Sequence, residues 1–495
     1  MKNRYLNRSL LLLFSIVLLS ACSSSENTVV VVEETPETEE AATSDTTVTT
    51  FSDLTVGILD PVTNFDPLFA DNLSTQRVIT LIYEGLYTLD RNGNPVAQLV
   101  DQVEVSEDSL EYVMTLKQNR FFHNSPVFSA GIGRRLQAGD VKIVFERAAQ
   151  SGFPEYAAEL LMNVAGFENY YLEQRRVYDP DDRVLGGVSG IQVLDRNRVR
   201  FVLEEKDPNF LMKLASPYLS VYPGELALNG DEELRATPVG TGPYQLSQAG
   251  SENSIILNKY NSNRRGNPDR DVSVDRIEFR YFQNESELYS QFASGEIDWI
   301  PEIGPEISGQ VLTADQTLSS SFEDVYEQTR SNTSRITAFY LNENFRNGVD
   351  WLRNRLAYLT AEDFQVRGNM DLQVDRFEVV EDAVADSAYY ISHTDDHVAL
   401  AILNDLNALV FQPETTLALL DIHVPTRQTA IYTRNSDSVQ QQFRPIPGDY
   451  WLNVETDIIG LHHDQVNGIS SSSVPWLLHI DDISVDESVA RAGGS

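Results

Sequence analysis

A chain of 495 residues with one cysteine has no intrachain disulfide available, so its fold must be held by buried side chains alone. That length exceeds an average domain and suffices for two or three lobes with substantial cores. An apolar content of 41%, with 9% aromatic residues, excludes disorder for most of it. Where the cysteine sits constrains the fold further. Lys2, Arg4 and Arg8 precede the apolar run Leu10 to Leu19, and Leu19-Ser20-Ala21-Cys22 closes it. The run is too short to span a bilayer as a stable helix, and small residues precede the cysteine as at a cleavage point.

Leu19-Ser20-Ala21-Cys22 resembles the bacterial lipobox. The resemblance implies a lipoprotein signal peptide over residues 1–21, lipidation of Cys22 and a membrane anchor. Several acyl chains hold a protein durably where one does not. Residues 22–50 carry Glu26, Glu33, Glu34, Glu37, Glu39, Glu40 and Asp45 and no basic residue. Such a segment is expected to be an acidic flexible tether reaching roughly 30 Å on average; only Val29 to Val32 could pair as a strand.

The formal charge is −37, and only six of the 37 cationic side chains are lysines. Loss of residues 1–21 would remove three cations and no acid, giving −40. A surface of this kind repels nucleic acid and anionic lipid, so no nucleic-acid partner is expected. Two readings stand for the excess: a solvated surface adapted to salt, and a surface that collects cations or cationic peptides.

From Phe51 onward the pattern mixes both periods. Leu54 to Ile58 reads as a strand, and Val78, Ile79, Ile82 and Leu86 recur at helical spacing from Thr75. Tyr112 to Leu116 alternates as a half-buried strand, and Val141 to Ala149 reads as a helix. Ile191 to Leu194 and Val199 to Leu203 form a hairpin across Asp195 to Arg198. Gly240-Thr241-Gly242-Pro243-Tyr244 opens onto strands at Tyr244 to Leu246 and Ile255 to Leu257; Ile277 to Phe282 is a strand before a helix from Glu285 to Ser294. The chain is expected to be α/β or α+β in several lobes.

Several of these segments carry a family resemblance. Val239 to Tyr244 resembles the G-T-G-P-Y loop of the family 5 extracellular solute-binding proteins, the oligopeptide- and dipeptide-binding components of ABC importers. Phe65-Asp66-Pro67, Leu81 to Leu86, Lys117 to His123, Leu136 to Arg147, the 191–203 hairpin, Asp275 to Arg280 and Gly295 to Trp299 resemble further family motifs in the same order. Asp350 to Tyr358 is a fainter match. Departures occur at Asn261 to Pro268, where arginines replace a Tyr-Trp pair, at Ser125 to Gly133, which looks inserted, and in the short last third.

The resemblance implies a type II periplasmic-binding-protein-like clamshell of two lobes with an extra inserted lobe. Its expected divisions are a hinge-containing lobe from 51–90, 191–299 and about 441–490, an extra lobe over 91–190, and an opposing lobe over 300–440. It implies a monomer that buries an oligopeptide or similar small solute between lobes and delivers it to an ABC permease complex. The candidate ligand-binding residues are Tyr83, Glu84 and Gly85, from a helix that would edge the cleft, and Gly240, Thr241 and Gly242 from the loop. Glu84 could equally cap or solvate a helix. The altered last third admits an alternative, a relative that keeps the fold as a structural or interaction lipoprotein.

Catalytic patterns are wanting. The sequence has no G-x-S-x-G, P-loop or HExxH pattern. His393 and His397 have a metal-compatible spacing only if helical, and Thr394-Asp395-Asp396 between them reads as a loop and helix start. His462-His463-Asp464 is equally ambiguous, and Asp179 to Asp182 and Asp481-Asp482 read as solvated turns. No catalytic residue, metal or cofactor is expected.

Overall fold

A computed structural model describes residues 52–70, 72–229, 231–247, 253–260, 272–340, 371–373, 389–391, 419–422, 432–433 and 450–486. The expected signal peptide, the tether with Cys22, the loop 261–268, the 350–358 match and His393 and His397 lie outside these residues.

Alternating apolar residues build the centre of the main sheet. Strand β1 (Asp53–Ile58) turns Leu54, Val56 and Ile58 to one face, against Val78 and Ile79 of α1 (Leu73–Ile82). Gly57 faces the other side, where a Cβ would lie 2.3 Å from Leu288 Cδ1 of α8 (Glu285–Ala293). Strand β1 runs parallel to β10 (Arg276–Tyr281) on one side and to β11 (Trp299–Ile300) on the other. Antiparallel β9 (Ser254–Lys259) and β8 (Tyr244–Leu246) extend the sheet beyond β10. Beyond β11 come β17 (Tyr450–His462) and β12 (Glu327–Tyr340). A second core under α8 and α9 (Pro305–Val311) gathers Leu288, Phe292, Ile297, Ile300 and Leu461.

The β12–β17 ladder is long. It starts level with β11, where Trp299 and Glu327 both pair with His462, and continues to Tyr340 opposite Tyr450. Eleven steps from Thr329 carry it roughly 35 Å past the end of β11. Short strands β13 (Asp371–Gln373) and β16 (Tyr432–Thr433) pair with that projecting part. Strands β14 (Tyr389–Ile391) and β15 (Leu419–Ile422) pair with each other.

A separate sheet has the order β4–β5–β7–β6, built from β4 (Val100–Val105), β5 (Glu111–Leu116), β6 (Ile191–Val193) and β7 (Arg198–Val202). The hairpin expected at 191–203 is present, but it pairs with β5 rather than with the main sheet. The division expected between 190 and 191 therefore falls inside one sheet, which continues to Val202. Helix α2 (Ala138–Arg147) covers this sheet, with the Phe145 and Phe201 rings 5.6 Å apart. At its start, the Gln137 N–H donates to Asp140 Oδ2 (2.9 Å), satisfying a donor that the helix cannot. Arg134 holds the same carboxylate at 2.6 Å and Glu225, in α6 (Gly224–Asn229), at 2.5 Å. Between the sheet strands lie α3 (Glu155–Glu159) and α4 (Phe167–Arg176); α5 (Phe210–Lys213) and α7 (Asp231–Ala236) flank α6.

The sequence places the first helix over Thr75 to Leu86; the structure starts it at Leu73 and ends it at Ile82. Asn72 Oδ1 caps it by accepting from Thr75 N–H (2.7 Å). Past Tyr83 the backbone is extended, Glu84 bridges to Val221, and Gly85 lies against the Leu214 carbonyl. The hairpin β2 (Tyr87–Leu89) to β3 (Pro95–Ala97) follows at once.

One buried ion pair fastens α2 to the loop after β1. Arg147 donates to both carboxylate oxygens of Asp66, at 3.0 and 2.6 Å, and to Tyr222 Oη at 2.9 Å. Both charged side chains are almost wholly buried. Removing one partner leaves an uncompensated buried charge, so Arg147→Met is expected to cost about 3–5 kcal/mol in urea unfolding at pH 7. A loss below about 1 kcal/mol, the range of exposed pairs, would refute this role.

Candidate ligand site at the carboxyl edge of the main sheet

Strands β1 and β10 are parallel neighbours whose following helices take opposite faces: α1 packs in one core cluster and α8 in the other. Where such connections diverge, an open α/β sheet leaves a crevice beyond the carboxyl ends of its strands, and ligands bind there. Here that edge is bordered by Leu59 to Asn64 after β1 and by Phe282 to Asn284 after β10. Asn72 Nδ2 donates to the Pro61 carbonyl (3.1 Å), which ties the start of α1 to the first rim. The β12–β17 ladder projects past this same edge.

Carboxylates gather here. Asp60 is 1% exposed at the end of β1 and Glu302 is 7% exposed after β11. Arg77, on α1, approaches Glu302 to 3.8 Å and donates through Nε to the Pro475 carbonyl (3.1 Å), joining helix, edge and C-terminal segment. Carboxylates and loop amides suit holding the amino group and backbone of a guest. Among the described residues no group of three or more His, Cys, Asp or Glu side chains could hold a metal ion. His462 lies 3.7 Å from Glu327, and His463 Nε2 donates to the Phe292 carbonyl (2.8 Å) while its ring packs on Phe292 and Tyr326.

The six residues nominated from sequence come together, but at the other end of α1, about 15 Å along its axis from that edge. They are buried. Gly242 N–H donates to the Ile82 carbonyl (2.9 Å), and a Cβ on Gly240 would meet the same oxygen at 1.9 Å, so only glycine permits this approach. Tyr83 donates to the Phe65 carbonyl (3.1 Å), and burial, then the Asp66 charge, holds its hydroxyl pKa well above the ordinary value. Thr241 is 3% exposed, and Gly85 N–H is taken by Gln98 Oε1 (2.9 Å). Glu84 borders a cavity. Asp298, from the Gly-Glu-Ile-Asp stretch, also acts inside the fold: it accepts from Thr55 N–H (2.7 Å) and Gln465 (2.9 Å).

Sequence reasoning missed His123. Its Nε2 donates to the Gly242 carbonyl (2.8 Å), Nδ1 faces Gly240 N–H (3.4 Å), and its own N–H donates to the Gly240 carbonyl (2.8 Å). The Tyr260 ring covers it at 4.5 Å. Burial pushes its pKa down to about 4, against the opposing pull of the Gly242 carbonyl. Its place beside Phe121 and Phe122 was the available signal of a core histidine.

Solved structures with this fold are binding proteins. MoaA from A. tumefacien R10, in complex with mannopinic acid, matches with TM-score 0.62 and 14% identity over 88% of this chain and 100% of its own. Listeria monocytogenes OppA bound to peptide matches with TM-score 0.60 and 12% identity over 88% and 99%. The fold is thus the α/β clamshell of type II periplasmic binding proteins. The family described as bacterial extracellular solute-binding proteins, family 5 Middle, matches residues 94–394, and the chain belongs to it. The peptide transport periplasmic protein SapA of Salmonella typhimurium is 28% identical over 218 residues, covering 43% of this chain and 36% of SapA. Di/tripeptide-binding protein 2 of Pseudomonas aeruginosa is 28% identical over 186 residues, covering 34% and 32%. The match spans about a third of the length of these relatives.

His123 sets a pH dependence. Because its buried ring resists protonation, the folded chain binds fewer protons than the unfolded chain between about pH 4 and the ordinary value of 6.5. Its contribution is complete above pH 6.5 and is lost as the pH falls to about 4, amounting to about 3 kcal/mol at about 1.4 kcal/mol per pH unit. In urea midpoints taken across this range, His123→Gln is expected to flatten the profile by that amount. An unchanged slope would remove His123 as its source.

Proposed function

We propose that this chain is an extracytoplasmic binding lipoprotein that captures a peptide or similar small solute between two lobes and passes it to an ABC permease. The observation that carries the reading is the carboxyl edge of parallel β1 and β10, with α1 and α8 on opposite faces and the β12–β17 ladder running past it. A guest held at the edge would face whatever the ladder supports. Ligands that favour the shut arrangement shift the population toward it, and a permease can read that state. In extended peptides, main-chain hydrogen bonds give affinity without fixing side-chain identity. Relatives named for peptide and di/tripeptide binding support this class of guest.

In this reading the hinge lobe comprises the main sheet with the C-terminal segment, the extra lobe runs from about residue 91 to Val202, and the opposing lobe lies between 300 and 440. Tyr83, Gly85, Gly240, Thr241 and Gly242 brace the wall of the hinge lobe, and the rims Leu59 to Asn64 and Phe282 to Asn284 meet the guest. Among the described residues no helix is long and apolar enough to cross a membrane, and attachment is assigned to acylated Cys22.

Native mass spectrometry of the purified chain, with a thermal-shift screen of a peptide library, tests the binding role. A bound peptide at a hundred times its Kd is expected to add about 2.7 kcal/mol of stability. No copurified guest and no shift across the library would favour a structural lipoprotein instead. Anchoring is tested separately: Cys22→Ser is expected to move the protein from the membrane to the soluble fraction, and continued membrane association would overturn it.

A further inference from the structure

A second cavity, of about 290 Å³, lies at the far end of α1 from the carboxyl edge. Three distant stretches build it: the end of α1 with the β2–β3 hairpin, Lys117 to Arg120 beyond β5, and Leu477 to Asp481. Its charged side presents Glu84 and Arg120, both at least 98% buried and 3.6 Å apart, with Lys117 and Asp481 nearer solvent. Apolar Leu89, Ala97, Leu477, Leu478 and Ile480 line it as well, beside the uncharged polar Thr80, Thr88 and Gln98 and the ring of His479.

The C-terminal stretch is fastened in place. Arg91 reaches Asp482 at 2.7 Å and accepts, through its carbonyl, from Ser473 N–H at the same distance. His479 sits in the left-handed region at φ 47°, a conformation costing about 1–2 kcal/mol for a residue with a Cβ. Its ring meets Ser472 Oγ at 3.0 Å. Strain held this way beside a cavity points to a built wall rather than a gap in packing.

Two cations and two carboxylates around one space balance each other. A guest with a single charge would leave that balance upset in a partly buried site; a guest carrying both charges keeps it. The apolar wall adds room for a hydrocarbon group. The volume is at the lower limit of small-molecule sites, too small for an oligopeptide. We propose that this cavity binds a small zwitterion with an apolar side chain, an aliphatic α-amino acid, at a site separate from the interlobe crevice. Arg120 and Lys117 take the carboxylate, Glu84 and Asp481 the ammonium, and Leu89, Leu477 and Ile480 the side chain.

Isothermal titration of the purified full chain with L-leucine tests this, with isovalerate and isopentylamine as probes carrying one charge each. Leucine is expected to bind, and each single-charge probe about tenfold more weakly or worse, as when one charge-assisted hydrogen bond goes unmade. Ala97→Trp, on an exposed strand at the cavity, fills the space and is expected to abolish leucine binding while leaving the melting temperature and the peptide response in place. Lys117→Gln, which leaves the buried pair intact, is expected to weaken leucine about tenfold. Absence of leucine binding at millimolar concentration overturns the proposal. So does binding that Ala97→Trp and Lys117→Gln both leave unchanged, which would place leucine elsewhere, or equal binding of leucine and isovalerate.

Discussion

Backbone lies on backbone where Gly240 and Gly242 meet the end of α1, and much of the described architecture follows from that contact. An α-helix in a mixed sheet protein is ordinarily kept some 10 Å from its neighbours by side chains. Here the Ile82 carbonyl receives the Gly242 N–H directly, so α1 is pinned at its last turn to the loop that opens β8. His123 then locks that loop from behind with three backbone contacts. Because His123 belongs to the segment leaving β5, the same few atoms fix the position of the separate sheet against the main one. A methyl group at Gly240 would break all of it, since the oxygen it would strike is already committed.

Arginine chemistry makes the second set of joints. Arg147–Asp66, Arg77–Glu302 and Arg120–Glu84 are buried pairs between segments far apart in sequence. Guanidinium keeps its charge under burial and makes two parallel hydrogen bonds to a carboxylate, as Arg147 does; an ammonium would lose its proton more readily and hold one direction less firmly. Composition alone suggested that few lysines and many arginines belonged to the surface. Part of that bias is instead a property of the interior, where an acidic chain without disulfides joins distant segments by ion pairs.

How legible this was depended on range. The alternation in Tyr112 to Leu116 and Ile277 to Phe282 reports burial along each strand directly, whereas Leu54 to Ile58 is buried on both faces; all three strands are where the pattern puts them. The hairpin at 191–203 was equally local. Its partner was not: pairing with β5 is decided by a strand eighty residues earlier, and no periodicity encodes it. The end of α1 was misread for the same reason, because the helical spacing runs on to Leu86 while Glu84 is claimed by a bridge to Val221. The six nominated site residues show the limit of short motifs. Gly240 to Gly242 and Tyr83 to Gly85 look alike whether glycine serves a ligand or a neighbouring backbone, and the Ile82 carbonyl that Gly242 meets is 160 residues away. The carboxyl-edge crevice could not be read at all without the strand order β11–β1–β10.

That strand order also determines what the long ladder can do. Strand β17 returns antiparallel to β11 and carries β12 on its other side, so these two long strands continue beyond the sheet edge, where short β13 and β16 join them. Their register breaks between Arg330 and Ser334, where β12 spends four residues against two on β17. A bulge interrupts ladder hydrogen bonds and bends the strand that carries it. Around this one, Arg330 pairs with Asp457, and Ser331 Oγ donates to the Ser472 carbonyl (2.8 Å). The Arg330–Asp457 contact therefore ties the two sides of the bulge together, Arg330 being paired before the break and Asp457 after it.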